Sequence, residues 1–212
     1  MRLVIFGPQG AGKGTQSARI AEKYGIPTIS TGDIFRWAIK GRTALGLEIE
    51  QFVNSGRLVP DILTIRVVRE RLDAPDAKDG FLLDGFPRNV AQAEALDEML
   101  AEKNVALDAA LILEVPEEIS LQRIIGRRAC SKCGRNYNLD APPEIDWTCD
   151  TCGGEVVFRV DDEDSAAIKA RLATYHEQTE PLKTYYSERG LLREVDGTAP
   201  PDDVFARITA TL

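Results

Sequence analysis

The chain has 212 residues, 43% of them apolar and 28% charged, with 17 Gly and 11 Pro, a composition that excludes collagen, coiled coil and low-complexity disorder. Its length suits one core carrying an inserted module, and a chain this long needs no staple to fold. With 26 basic against 34 acidic residues and a net charge of −8, it repels polyanions, so nucleic acid is not an expected partner. The longest apolar run is the five residues Ala109 to Leu113, far short of the ~20 that cross a bilayer. Leu3 to Phe6 is too short for the centre of a secretory signal. The expected setting is the cytoplasm, with no membrane partner.

In chain order, Arg2 to Phe6 is an apolar strand running into Gly7-Pro-Gln-Gly-Ala-Gly-Lys-Gly-Thr15, and Ser17 to Tyr24 reads as helix. Gly7-x4-Gly12-Lys13 matches the phosphate-binding loop, in which small residues let backbone N–H groups wrap a phosphate and the lysine adds a point charge. The ligand predicted is a nucleoside triphosphate. Gly14 stands where such loops carry Ser or Thr, and the hydroxyl comes one residue later at Thr15.

Helical pieces between Thr31 and Pro60 are predicted to be broken by Gly41, Gly46 and Gly56, ahead of a longer helix from Asp61 to Leu72. Further strands are expected at Thr28 to Ser30, Phe81 to Asp84, Ala110 to Val115 and Leu192 to Asp196. These runs lack clean alternation, which fits strands covered on both faces. The fold class is therefore α/β, a three-layer domain around a parallel five-stranded sheet. Asp84, at the C-terminal end of its strand, is placed either to hold Mg²⁺ through water or to close a turn.

All four cysteines fall in one segment, Cys130-Ser-Lys-Cys133 and Cys149-Asp-Thr-Cys152, 15 residues apart. That spacing reads as a closed tetrahedral Zn²⁺ site, and a reducing cytosol opposes the disulfide alternative. Four thiolates around one Zn²⁺ would move the net charge from −8 to −10. After this segment, Asp161-Asp-Glu-Asp164 reads as a solvated helix start, and one helix is predicted from about Asp164 to Ser187. Arg123 and Arg127 share a helix face, Arg159 and Arg171 flank the return from the cysteines, and Arg36 and Arg88 lie outside the phosphate-loop unit. Each of these arginines, taken alone, reads as a surface charge.

Together these motifs resemble the adenylate kinase family, in its long-lid, zinc-containing form, over essentially the whole chain. The resemblance is carried by Gly7 to Thr15, Ile29-Ser-Thr-Gly-Asp33, Asp84-Gly-Phe-Pro-Arg88 with Gln92, Arg123-Ile-Ile-Gly-Arg-Arg128, Arg159-Val-Asp-Asp162 and Asp196-Gly-Thr198. It also accounts for Gly14-Thr15, since the family carries Gly-Lys-Gly-Thr.

The resemblance implies a P-loop NTPase core (1–29, 60–125 and 163–212), a helical AMP-binding insert (30–59) and a zinc-ribbon lid (126–162). AMP would meet Thr31, Arg36, Arg57, Leu58, Val59, Gly85, Phe86, Pro87, Arg88 and Gln92, with Arg159 and Arg171 closing on the phosphates. ATP would meet Gly10, Ala11, Gly12, Lys13, Gly14, Thr15, Arg123, Arg127, Asn136, Tyr137 and the backbone of Ala199. Lys13, Arg88, Arg127, Arg159 and Arg171 would carry catalysis, by reversible transfer from MgATP to AMP giving two ADP, in a monomer. Two alternatives remain at this point. One is another nucleoside monophosphate kinase or a GTP-dependent AMP kinase; the other is a P-loop switch protein using its zinc ribbon to bind a partner.

Overall fold

The computed structural model describes residues 1–55, 57–158, 162 and 165–212. The chain runs β1 (Arg2–Phe6), α1 (Lys13–Tyr24), β2 (Thr28–Ser30), α2 (Thr31–Lys40), α3 (Ala44–Asn54), α4 (Asp61–Leu72), β3 (Phe81–Asp84), α5 (Val90–Glu102), β4 (Ala109–Glu114) and α6 (Glu117–Ile125). It continues through β5 (Arg127–Cys130), β6 (Asn136–Asn138), β7 (Val156–Phe158), α7 (Ser165–Thr174), α8 (Leu182–Ser187), β8 (Leu192–Asp196) and α9 (Pro201–Thr211).

The five predicted strands pair in parallel, in the order β2-β3-β1-β4-β8. Successive side chains point to opposite faces, and both faces are apolar. Val4, Phe6, Leu83 and Ile112 pack with Leu96 of α5 and with Leu182 and Tyr186 of α8. Leu3, Ile5, Leu82 and Leu111 pack on the other side with Ile20 of α1 and with Val204 and Ile208 of α9. Burying one such side chain is worth about 1.5–3 kcal/mol. That burial on both faces is what holds three layers together.

Three expectations need correction. Gly46 does not break a helix but lies in the first turn of α3. A Cβ there would sit 2.1 Å from the Ala38 carbonyl oxygen, so glycine lets α3 rest directly on the end of α2. Gly41 does end α2, and Gly56 lies outside the described residues. Phe35, Ile49, Val59 and Leu63 form a separate small core among these helices.

The second correction concerns the long helix from Asp164, itself outside the described residues, to Ser187. It is two helices joined by a π-helical turn, Tyr175–Thr179, in which the Glu180 N–H donates to the Tyr175 carbonyl at 2.9 Å. Pro181 has no N–H to continue an α-helical ladder. The turn also shifts the helical phase, so that Ile168 and Leu172 pack against Ile124 of α6 while Leu182 and Tyr185 join the sheet core. The third correction, at Asp162, belongs to the site described below.

The cysteine segment forms an antiparallel three-stranded ribbon, β6-β5-β7, in which Arg127 pairs with Asn138 and Cys130 with Val156. Its buried cluster is Cys130, Tyr137, Cys149 and Val156. Among the described residues, no helix is long and apolar enough to cross a membrane.

Candidate active site and metal centre

The glycine loop follows β1, next to the C-terminal end of β3, where the sheet's connections change direction; open α/β sheets bind ligands at such a crevice. The loop lies tight against its surroundings. A Cβ on Gly10, whose φ is +84°, would come within 2.5 Å of the Ser120 carbonyl oxygen in α6. Ala11 is buried, Gly12 has φ +94°, and α1 begins directly at Lys13, earlier than the sequence suggests. The Lys13 ammonium donates to the Gly7 and Pro8 carbonyls at 2.7 and 2.8 Å. Burial pulls Lys13 down to about 8; the Asp84 carboxylate opposes this, while Arg88 and Arg127 reinforce it. Burial raises Asp84, against the pull of Lys13 and Arg88. Burial also lowers Arg88, with Arg36 and Arg171 adding to that and Asp84 countering it. These charges therefore converge on one place, although they come from widely separated parts of the chain.

On the β3 side, the Gly85 carbonyl accepts from the Thr31 hydroxyl and from Arg88 Nε, both at 2.9 Å. The Arg88 N–H donates to Gln92 Oε1 at 2.8 Å, and Gln92 Nε2 donates to Asp61 Oδ1 at 2.7 Å. Phe86 is fully buried and joined to Pro87 by a cis peptide bond. Arg36 pairs with Asp33 at 2.5 Å, and Arg57 stacks 5.2 Å from the centre of the Phe52 ring. A cavity of about 390 Å³ opens here, lined by Arg57, Leu58, Val59, Asp61, Asn89 and Gln178, among others. Asp61 was legible only as a helix start, and nothing in the local pattern marks Gln178.

On the other side, Arg123 donates to the Gly197 and Thr198 carbonyls at 2.8 and 3.1 Å, which brings it beside Ala199. Asn136 of β6 reaches over the loop: a Cβ on Gly14 would lie 3.0 Å from Asn136 Nδ2. The bare Gly14 leaves the room that Asn136 uses, and Thr15 is exposed in the first turn of α1.

Asp162 corrects the reading of its charge run as solvated. Its side chain is fully buried. It accepts from Arg127 Nε and Nη2 at 2.6 and 2.7 Å, from Arg171 Nη1 at 3.2 Å and from Gln9 Nε2 at 2.8 Å. Charge-assisted, forked pairing of this kind is among the stronger polar contacts. Arg159, Asp161, Glu163 and Asp164 lie outside the described residues. A run of four acids gives no sign of which member turns inward.

The four cysteines are free thiols whose sulfurs all lie within 4.8 Å of one another, so they could hold a metal ion. Sulfurs bonded to one Zn²⁺ at ~2.3 Å stand about 3.8 Å apart, and Cys130–Cys152 and Cys133–Cys149 are at 3.5 and 3.6 Å. The N–H groups of Lys132 and Cys133 point at Cys130 Sγ, as befits an anionic sulfur. Donor chemistry and spacing therefore fit a closed tetrahedral ion. The Tyr137 phenol is buried in this cluster; its hydroxyl donates to Cys149 Sγ at 3.3 Å, which holds that thiol down to about 6. The same oxygen accepts from the Asp150 N–H at 2.9 Å. The Tyr137 ring is thus committed to the ribbon.

A parallel sheet with a phosphate loop at its switch point, ringed by a lysine and arginines, defines a P-loop phosphotransferase. The family model described as adenylate kinase matches residues 5–191. The chain is 51% identical over its full length to an adenylate kinase of Clostridium botulinum (strain 657), covering 98% of that protein. It is 52% identical to one of Thermodesulfovibrio yellowstonii, covering 99%, and 49% to one of Carboxydothermus hydrogenoformans, covering 99%. The chain belongs to the adenylate kinase family, whose reaction is reversible phosphoryl transfer between ATP and AMP, with Mg²⁺ accompanying ATP. The reading as a switch protein is thereby set aside.

Proposed function

We propose that transfer in this protein is carried by positioning and charge alone, with no protein nucleophile. ATP lies along the glycine loop (Gly10 to Thr15), with its adenine between Arg123 and Ala199 and beneath Asn136 and Tyr137. AMP lies in the cavity beside Leu58 and Val59, its base read by Gln92 and its phosphate held by Arg36 and Arg88. The acceptor oxygen of AMP is already anionic, so the barrier lies in bringing two polyanions end to end. Lys13, Arg88, Arg127, Arg159 and Arg171 gather around the transferred group and stabilise the charge that spreads over its equatorial oxygens.

The observation that carries this reading is a chain of neighbouring charges: half-buried Asp84 feels Lys13, Arg88 and Arg36, Lys13 feels Arg127, and Arg88 feels Arg171. Mg²⁺ arriving with ATP would be held through water by Asp84 and would neutralise charge between the phosphates. Zn²⁺ on Cys130, Cys133, Cys149 and Cys152 would supply a structural cross-link with no open position for substrate.

In the same reading, residues 126–162 act as a lid that excludes water from the transferred group, residues 30–59 act as the AMP-binding insert, and the remainder is the core. The enzyme is a monomer in the cytoplasm, where thiols stay reduced. Two measurements test it. Among AMP, GMP, CMP and UMP, AMP is the acceptor that turns over fastest with MgATP. A mimic joining two adenosines through a phosphate chain binds at least about 100-fold tighter than either half. Equal affinity for the mimic and its halves defeats the two-nucleotide site.

A further inference from the structure

The third residue of the glycine loop, Gln9, lies just ahead of the Gly10 to Thr15 stretch proposed to wrap a phosphate, and both its backbone and its side chain are tied. Its carbonyl accepts from the hydroxyl of Ser120, a fully buried residue of α6. Its Nε2 donates to Asp162 Oδ1 at 2.8 Å, while its Oε1 is buried and meets no partner among the described residues. A carboxylate accepts and never donates when ionised, so Asp162 fixes which way the amide points.

We propose that Gln9 is a positioning residue for phosphoryl transfer, a neutral clasp that keeps Asp162 registered on the glycine loop. The argument turns on which bonds of Asp162 survive when phosphates arrive. Arg127 and Arg171 hold it through charged donors, and anionic phosphate oxygens compete for such donors. The Gln9 amide carries no charge and feels no comparable pull. As the two guanidiniums turn toward phosphate, Gln9 retains the carboxylate that aims them. Asp162 thereby stays in register with the loop. A buried carbonyl left without a partner is a cost, and here it is the cost of aiming the NH₂ end at Asp162.

This inference rests on the reading that Arg127 and Arg171 act on the transferred phosphoryl group, so the test keeps the two separable. Wild-type enzyme is first shown to convert ATP and AMP to ADP, and a failure there defeats the functional reading itself. Single-turnover transfer rates, kcat, and KM for each nucleotide are then measured for Gln9→Ala, Asp162→Ala and the double variant, with zinc content and Tm as checks on folding. Gln9→Ala is expected to slow transfer about tenfold with KM for AMP within about twofold of wild type. In the Asp162→Ala background the same change is expected to cost less than about twofold, because the Gln9 amide no longer has an acceptor there to hold. Gln9→Glu, which sets two carboxylates face to face, is expected to fall further than Gln9→Ala and to regain rate when combined with Asp162→Asn. Equal cost of Gln9→Ala in both backgrounds, or a transfer rate unchanged from wild type, overturns the proposal.

Discussion

The sheet and the cysteine ribbon solve the same problem at different sizes. The sheet buries two full apolar faces, with Leu3, Ile5, Leu83 and Leu111 all at 0% exposure. The ribbon has a buried cluster of four residues, and two of those are cysteines. A segment this small cannot offset its own ordering entropy by apolar burial. The four clustered thiols could supply by coordination what the sheet gains by burial. The difference teaches that a segment can be made stiff without being made large.

The comparison can be broken in steps of decreasing size. With Zn²⁺ bound as proposed, withdrawing it with a tight chelator should remove an apparent ~10–16 kcal/mol from the ribbon and nothing from the sheet. Calorimetry should then show an early ribbon transition beside an unmoved main one, with transfer activity lost; a single unchanged transition refutes the division. Lys13→Ala should lower kcat about 10²- to 10³-fold, the loss typical of one preorganised donor, with Tm preserved, since this half-buried charge is held against a desolvation cost. Leu83→Ala, in the sheet core, should cost about 2–5 kcal/mol, read as a drop in Tm of about 10 °C with zinc content intact.

Tyr137→Phe should weaken zinc binding about 10- to 100-fold, seen as faster release to a colorimetric chelator, while the main unfolding transition stays put. The smallest effect is a proton at Lys13. Its ammonium titrates at about 8 in the folded protein instead of the usual 10.5. Between those values the unfolded chain holds more protons, so this group's contribution to stability rises with pH there. A bound phosphate favours the charged form, so triphosphate binding near pH 8 should take up part of a proton and binding near pH 6.5 almost none. Calorimetry in two buffers of different ionisation heat measures it.

The glycine loop and the paired cysteines were legible because each is a local solution whose spacing carries its chemistry. The five strands were legible because burial on both faces leaves continuous apolar runs. What escaped the sequence was long-range. Asp162 looked like its acidic neighbours, Asp61 like any helix start, and Gln9 like loop filler; each gains its meaning from a partner tens of residues away or more. Gly46 looked like a breaker because its purpose is the approach of a neighbouring helix. The π-helical turn left no mark because apolar residues on either side of it keep near-helical spacing while facing two different cores.

Asn136 poised above Gly14 also bears on traffic through the site. On the proposed reading of the ribbon as a lid, this door rests on the threshold and must lift before a nucleotide crosses it, so the speed of entry is expected to be capped by that lifting and not by collision. In a rapid-mixing experiment, raising the nucleotide concentration should bring the observed binding rate to a plateau, and the height of the plateau reports how often the door swings.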